Sequence, residues 1–149
     1  MRALLAVDGS KFSEAAARAL ASQMRSEGAE ILVLEVVEPR IFSTPPQMSA
    51  GYAPEQDEIL KEQFKQAHES VDRASQVLRS AGFNVNTRVA EGEVRTGILD
   101  VAAEWHADLI VLGSHGRQGL KRFLLGSVAD SIVRNAHCSV LVVRIPAKS

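Results

Sequence analysis

Four of the ten glycines in this 149-residue chain fall within Gly113–Ser127, which reads GSHGRQGLKRFLLGS. Glycine has no Cβ to block close approach, and Gly113, Gly116 and Gly119 admit positive φ. Gly126 and Ser127 open a segment, SVADSIVRNA, of helical periodicity. Free backbone N–H groups and the dipole at a helix start attract anions, and the Ser127 hydroxyl adds a donor. The chemistry is that of a phosphate cradle; the alternative is turn geometry with no ligand. Neither GxxxxGK[ST] nor a GxGxxG after the first strand occurs, so there is no P-loop lysine and no dinucleotide fingerprint.

Other candidates flank the cradle. Asp8 follows the apolar run ALLAV and either closes an Asx-turn or meets a ligand or its Mg²⁺. Ser10 either caps a helix or reaches a phosphate. Arg117 abuts Gly116 and is the favoured cation for a phosphate, with Lys11 weaker and Lys121 and Arg122 read as a solvated face. His115 is a candidate general base, though a side chain packed beside the loop is the favoured reading. His68, His106 and His137 show no ligand spacing, and the lone Cys138 suits a small buried hydrophobe.

Positioning these residues requires a sheet. ALLAV, EILVLEVV, ADLIVLGS and CSVLVVRI are continuous apolar runs, as in strands buried on both faces, whereas FNVNTRVA alternates and belongs at an edge. Between them lie helical seams: Phe12, Ala16, Leu20, Met24; then Leu60, Phe64, Ala67, Val71, Ala74, Leu78; then Ile98, Val101, Ala102, Trp105; then Val128, Ile132, Val133. Ser10 or Ser13 can cap the first helix and Gly28 end it; Ser127 with Asp130 forms a capping-box-like start for the last. Residues 39–54, holding four of the five prolines, form a loop.

The alternation β-α-β-α-β-α-β-α-β predicts one α/β domain over 1–149, an open parallel five-stranded sheet with helices on both faces. Ligands of such sheets bind beyond the carboxyl ends of strands at a topological switch point. With the order 3-2-1-4-5, which periodicity alone does not fix, Asp8 and Gly113 share that crevice. The fifth strand would then be an apolar edge, and a second copy would cover Val140, Leu141, Val142 and Val143 in an isologous homodimer.

Composition narrows the classes. A net charge of -1 points to no nucleic-acid partner, and no run approaches the roughly 20 apolar residues of a membrane span. One cysteine cannot form an intramolecular disulfide or a thiolate metal site, so a cytoplasmic location is expected.

Gly113, Gly116, nine residues and then Gly126-Ser127 form G-x2-G-x9-G-[ST], which resembles the nucleotide-binding motif of the universal stress protein family. GSVADSIVRNAHCSVLVVR, LLAVDGS and LEVVEP extend the likeness over the whole chain. The resemblance implies a Rossmann-like, adenine nucleotide alpha hydrolase-like fold of order 3-2-1-4-5, binding ATP or another adenine nucleotide as a homodimer. It implies that Ala6, Val7 and Asp8 line the adenosine side, with Asp8 near ribose or Mg²⁺, and that Val36 contacts adenine. Gly113, Ser114, His115 and Gly116 would cover ribose and the first phosphate, with Gly119 in the phosphate loop. Gly126, Ser127 and Val128 would hold the outer phosphates. Glu35 departs from the histidine common before that valine in the family, and its side chain is expected to face away from adenine. The leading expectation is a stress-response regulatory module. The alternatives are a low-turnover ATP hydrolase, for which no water-positioning base can be named, and a dimeric scaffold without nucleotide.

Overall fold

The computed structural model describes residues 1–40, 53–116 and 124–145. Five strands, β1 (Arg2–Ala6), β2 (Glu30–Val37), β3 (Asn84–Glu91), β4 (Leu109–Gly113) and β5 (Ser139–Val143), alternate with four helices. These are α1 (Lys11–Gln23), α2 (Ala53–Ser80), α3 (Val94–Glu104) and α4 (Ser127–Asn135). The strands pair in parallel in the order β3-β2-β1-β4-β5, as the family resemblance implied. β1 lies at the centre, with Leu4 opposite Leu32 on one side and Ile110 on the other.

Strand alternation sends successive side chains to opposite faces, and each face has its own core. Leu5, Ile31, Val33 and Val111 meet Leu20 of α1 and Val71 and Leu78 of α2. Leu4, Leu34, Val36 and Ile110 meet Ile98 of α3 and Ile132 of α4. Burying each such side chain contributes about 1.5–3 kcal/mol, so both helix layers are fixed by many small terms. β3, the alternating strand, sits at an edge and buries Val85.

Three local readings change. α1 stops at Gln23, well before Gly28, because Met24 is already extended. Gly28 instead serves the turn into β2 with φ +70°. The cap of α4 is Gly126, not Ser127, so no capping box forms there. Val133 points outward, 48% exposed, while Ala129 takes the inward place. The loop reading of 39–54 falls mostly on residues 41–52, outside the described residues, and α2 already includes Ala53.

Candidate functional site

β1 and β4 are neighbours whose following helices lie on opposite faces of the sheet, so their carboxyl ends form the switch point. A cleft opens there, lined by Ala6, Val7, Asp8, Gly113, His115, Gly116 and Val128 among the residues expected from the sequence. Ser13, Val94, Ile98, Leu112 and Ala129 complete its walls. Sequence reasoning missed Val94, Ile98, Leu112 and Ala129 because an apolar wall residue looks like any core residue, and it read Ser13 only as a helix cap. Val36 is buried under α3, where a Cβ on Gly97 would come 2.9 Å from its Cγ1. It backs the cleft without lining it. Arg117 and Gly119 lie outside the described residues.

The loop after β1 is organised by its own side chains. Asp8 Oδ1 accepts from Ser10 N–H at 2.9 Å, the Asx-turn expected for this residue, and Gly9 takes φ +79°. Ser10 Oγ accepts from Ser13 N–H at 3.3 Å and caps α1. Ser13 Oγ donates to Ser10 C=O at 3.1 Å and lies 3.4 Å from the Asp8 amide.

The glycines of the second loop act sterically. Neither Gly113 nor Gly116 uses the positive φ open to glycine; it is the missing Cβ that matters. A Cβ on Gly113 would stand 2.7 Å from the backbone C and O of Phe12, so glycine is demanded there by the approach of α1. A Cβ on Gly116 would meet Asp8 Oδ2 at 3.1 Å, which places the two loops face to face. A Cβ on Gly126 would crowd His115 Cα at 3.1 Å and Ser114 O at 3.2 Å.

Ser114 joins the parts. Its amide donates to Val143 C=O of β5 at 2.9 Å, and its carbonyl accepts from Gly126 N–H at 2.7 Å. The Gly126 amide is therefore engaged by the protein, and the cradle's backbone donors reduce to the first turn of α4. Ser127 is exposed and Val128 lines the cleft. Ser114 Oγ lies 3.0 Å from His115 Nδ1, and the His115 ring packs against Phe12 with centroids 5.3 Å apart. His115 Nε2 is buried without a hydrogen-bond partner among the described residues. A ligand atom or water in the cleft would satisfy it, since buried polar groups rarely stay unpaired.

Glu35 lies one position from Val36, so strand alternation turns it to the face of Val33, away from the cleft. The half-exposed residues Val140 to Val143 form the far edge of the sheet.

The family model of the universal stress proteins matches residues 1–144. The chain belongs to the universal stress protein family. This universal stress protein is 35% identical to the universal stress protein MJ0531 of Methanocaldococcus jannaschii over 97% of its own length and 82% of the relative. It is 34% identical to the universal stress protein YxiE of Bacillus subtilis, covering 95% and 97% of the two chains. Among solved structures it resembles UspA from Lactobacillus plantarum, with 28% identity, TM-score 0.79 and 97% of each chain covered. It also resembles the universal stress protein from Archaeoglobus fulgidus in complex with dAMP, with 25% identity, TM-score 0.68, and 95% and 96% covered.

The residues present suit a nucleotide and its metal. The first turn of α4, the orphaned His115 Nε2 and the Asp8 carboxylate face one cleft. Mg²⁺ on a nucleotide takes one or two protein carboxylates and fills its shell with phosphate oxygens and water; Asp8 would supply one. Among the described residues no group of three or more His, Cys, Asp or Glu could hold a metal unaided. Among them, too, no helix is long and apolar enough to cross a membrane.

Proposed function

We propose that this universal stress protein binds an adenine nucleotide, ATP with Mg²⁺, and works as a homodimeric regulatory module of the stress response in the cytoplasm. The observation that carries the reading is the uncapped start of α4 opposite Asp8 at the β1/β4 switch point. Amides of Ser127 and Val128 and the Ser127 hydroxyl hold the phosphates. Asp8 serves the ribose or Mg²⁺, Ala6 and Val7 the adenosine side, and His115 Nε2 a polar atom of the ligand. Ser10 keeps its capping role at the rim, and Arg117 and Gly119 complete the phosphate loop. The Archaeoglobus fulgidus relative in complex with dAMP supports the ligand class.

Holding is favoured over cleaving. Phosphoryl transfer needs a placed nucleophile and charge stabilisers, and among the described cleft residues the one imidazole, His115, has its free Nε2 assigned to holding the ligand. The dimer reading rests on β5, an edge strand whose Val140–Val143 are half-exposed.

Mass spectrometry of the denatured, purified protein should release an adenine nucleotide, and calorimetry with ATP should show saturable binding. No retained nucleotide and no heat with ATP or AMP would leave the dimeric scaffold. Phosphate release faster than about 1 s⁻¹, the lower end of ordinary turnover, and abolished by Asp8→Ala, would make the protein an enzyme. Sedimentation equilibrium should give a dimer that Val142→Lys dissociates; a monomer in the unmodified protein overturns the edge pairing.

A further inference from the structure

On the other face of the sheet, between α1 and α2, lies a crevice of about 170 Å³. Its apolar floor is Val7, Ala17 and Ala74, and its rim carries the exposed Val77 with Arg18, Arg73 and Glu14. Glu14 pairs with Arg18 at 3.7 Å. Among the described residues Arg73 has no ion-pair partner, so the crevice presents one uncompensated cation.

Ser70 adds a second, independent observation. It lines the crevice at 4% exposure, and its Oγ has no hydrogen-bond partner. A serine inside a helix ordinarily returns its hydroxyl to the carbonyl four residues back. Ser75, on the same helix, does so, donating to Val71 C=O at 2.6 Å. Ser70 leaves that option unused beside an arginine and an apolar hollow.

We propose that this crevice is a second ligand site, for a small monocarboxylate with an apolar body. Arg73 meets the carboxylate, Ser70 Oγ donates to it, and the alkyl or aryl part covers Val7, Ala17, Ala74 and Val77. The volume sets the size, since a cavity of about 150 Å³ accommodates benzene. A six-carbon acid fits, and a mononucleotide does not.

The site also touches the cleft. Val7 and Ser13 line both cavities, and Ser13 Oγ hydrogen-bonds the turn that carries Asp8. An occupant therefore biases the Asp8 loop and with it nucleotide affinity, a linkage that rests on the nucleotide reading above.

The probe is sodium hexanoate, titrated into the ¹⁵N-labelled full chain and followed by amide chemical shifts. Saturable shifts at Gly9, Ser70 and Ala74 are expected, with a Kd on the order of 1 mM for a ligand this small. Hexanamide, and hexanoate with Arg73→Gln, should each bind at least about fivefold more weakly, as loss of a charge-assisted pair requires. Ser70→Ala should weaken binding about threefold. Absence of saturable shifts, shifts confined elsewhere, or equal binding of hexanamide overturns the site. Calorimetry with AMP, with and without saturating hexanoate, should show an affinity change of about twofold or more; unchanged affinity overturns the linkage. If AMP does not bind at all, the nucleotide reading fails, and the hexanoate titration still decides the crevice. Shifts of the Asp8 and Gly116 amides on adding hexanoate then support the linkage, and their absence overturns it.

Discussion

Helices α1 and α4 both start where a central strand ends, yet their first turns are finished differently. At α1 the chain supplies its own acceptors: Asp8 Oδ1 takes the Ser10 amide and Ser10 Oγ takes the Ser13 amide. At α4 the cap is Gly126, with φ −61° and ψ 159° and no side chain to offer. A helix start leaves backbone donors without intrahelical partners. One start satisfies a donor with a side chain, and at the other no side chain among the described residues caps the helix. A chain can thus leave a helix start open by withholding a capping side chain.

The largest expected effect comes from pressing the two loops apart. Gly113→Ala forces a Cβ against Phe12 backbone and should cost about 3 kcal/mol of stability, the upper range for overpacking, read by urea unfolding. Among the described residues Gly116→Ala meets only a carboxylate oxygen, and it should stay within about 0.5 kcal/mol. If both behave alike, the steric distinction between these glycines is wrong.

Ser127→Pro sharpens the comparison at α4. Proline suits the first helical position and removes one N–H, and the extended Gly126 tolerates a following proline. Stability should hold while ATP affinity falls about tenfold, in line with a hydrogen bond to a charged group; unchanged affinity in calorimetry would remove that amide from the cradle. Gly126→Val is a poorer probe, since its side chain would crowd Ser114 and His115. At α1 the converse holds. Ser10→Ala should lose about 1 kcal/mol of stability, as cap removals do, with ATP affinity changed less than about twofold.

The smallest effect is at a third helix start. Glu93 caps α3, and the hydrogen bonds from the Thr96 hydroxyl (2.6 Å) and amide (2.7 Å) hold its carboxyl below the usual carboxylate range. A depressed folded-state pKa means stabilisation present above the unfolded value and lost as pH falls through the folded one. Thr96→Val should raise the Glu93 pKa in an NMR titration and shrink this acid-side contribution. An unmoved titration would assign the shift elsewhere.

The sequence carried much of this geometry, and the reasons differ by element. The strands β1, β2 and β4 announced themselves as apolar runs and β3 by its alternation, because a parallel sheet covered on both faces tolerates few polar residues; β5, read as buried from the same pattern, is half-exposed at the far edge, and Cys138 before it is only partly buried. The α2 seam held from Ala67 to Leu78 for the same reason. Strand order was legible only through the family likeness, since periodicity records which face is buried and not which neighbour is paired. Asp8 and the paired glycines were visible as types at a spacing. That Gly113 answers Phe12 and Gly126 answers Ser114 was not, for such contacts join residues far apart in sequence. The α1–α2 crevice was invisible for that reason too. Ser70 and Arg73 read as ordinary positions of a long helix until α1 is laid beside them.

Ser114 carries one more implication. Its amide is fixed to the last residue of β5 and its carbonyl to the first donor before α4. The sheet edge and the start of α4 therefore hang from the two sides of one residue. A substitution at the β5 edge that displaces Val143 therefore acts, through Ser114, on the place where α4 begins.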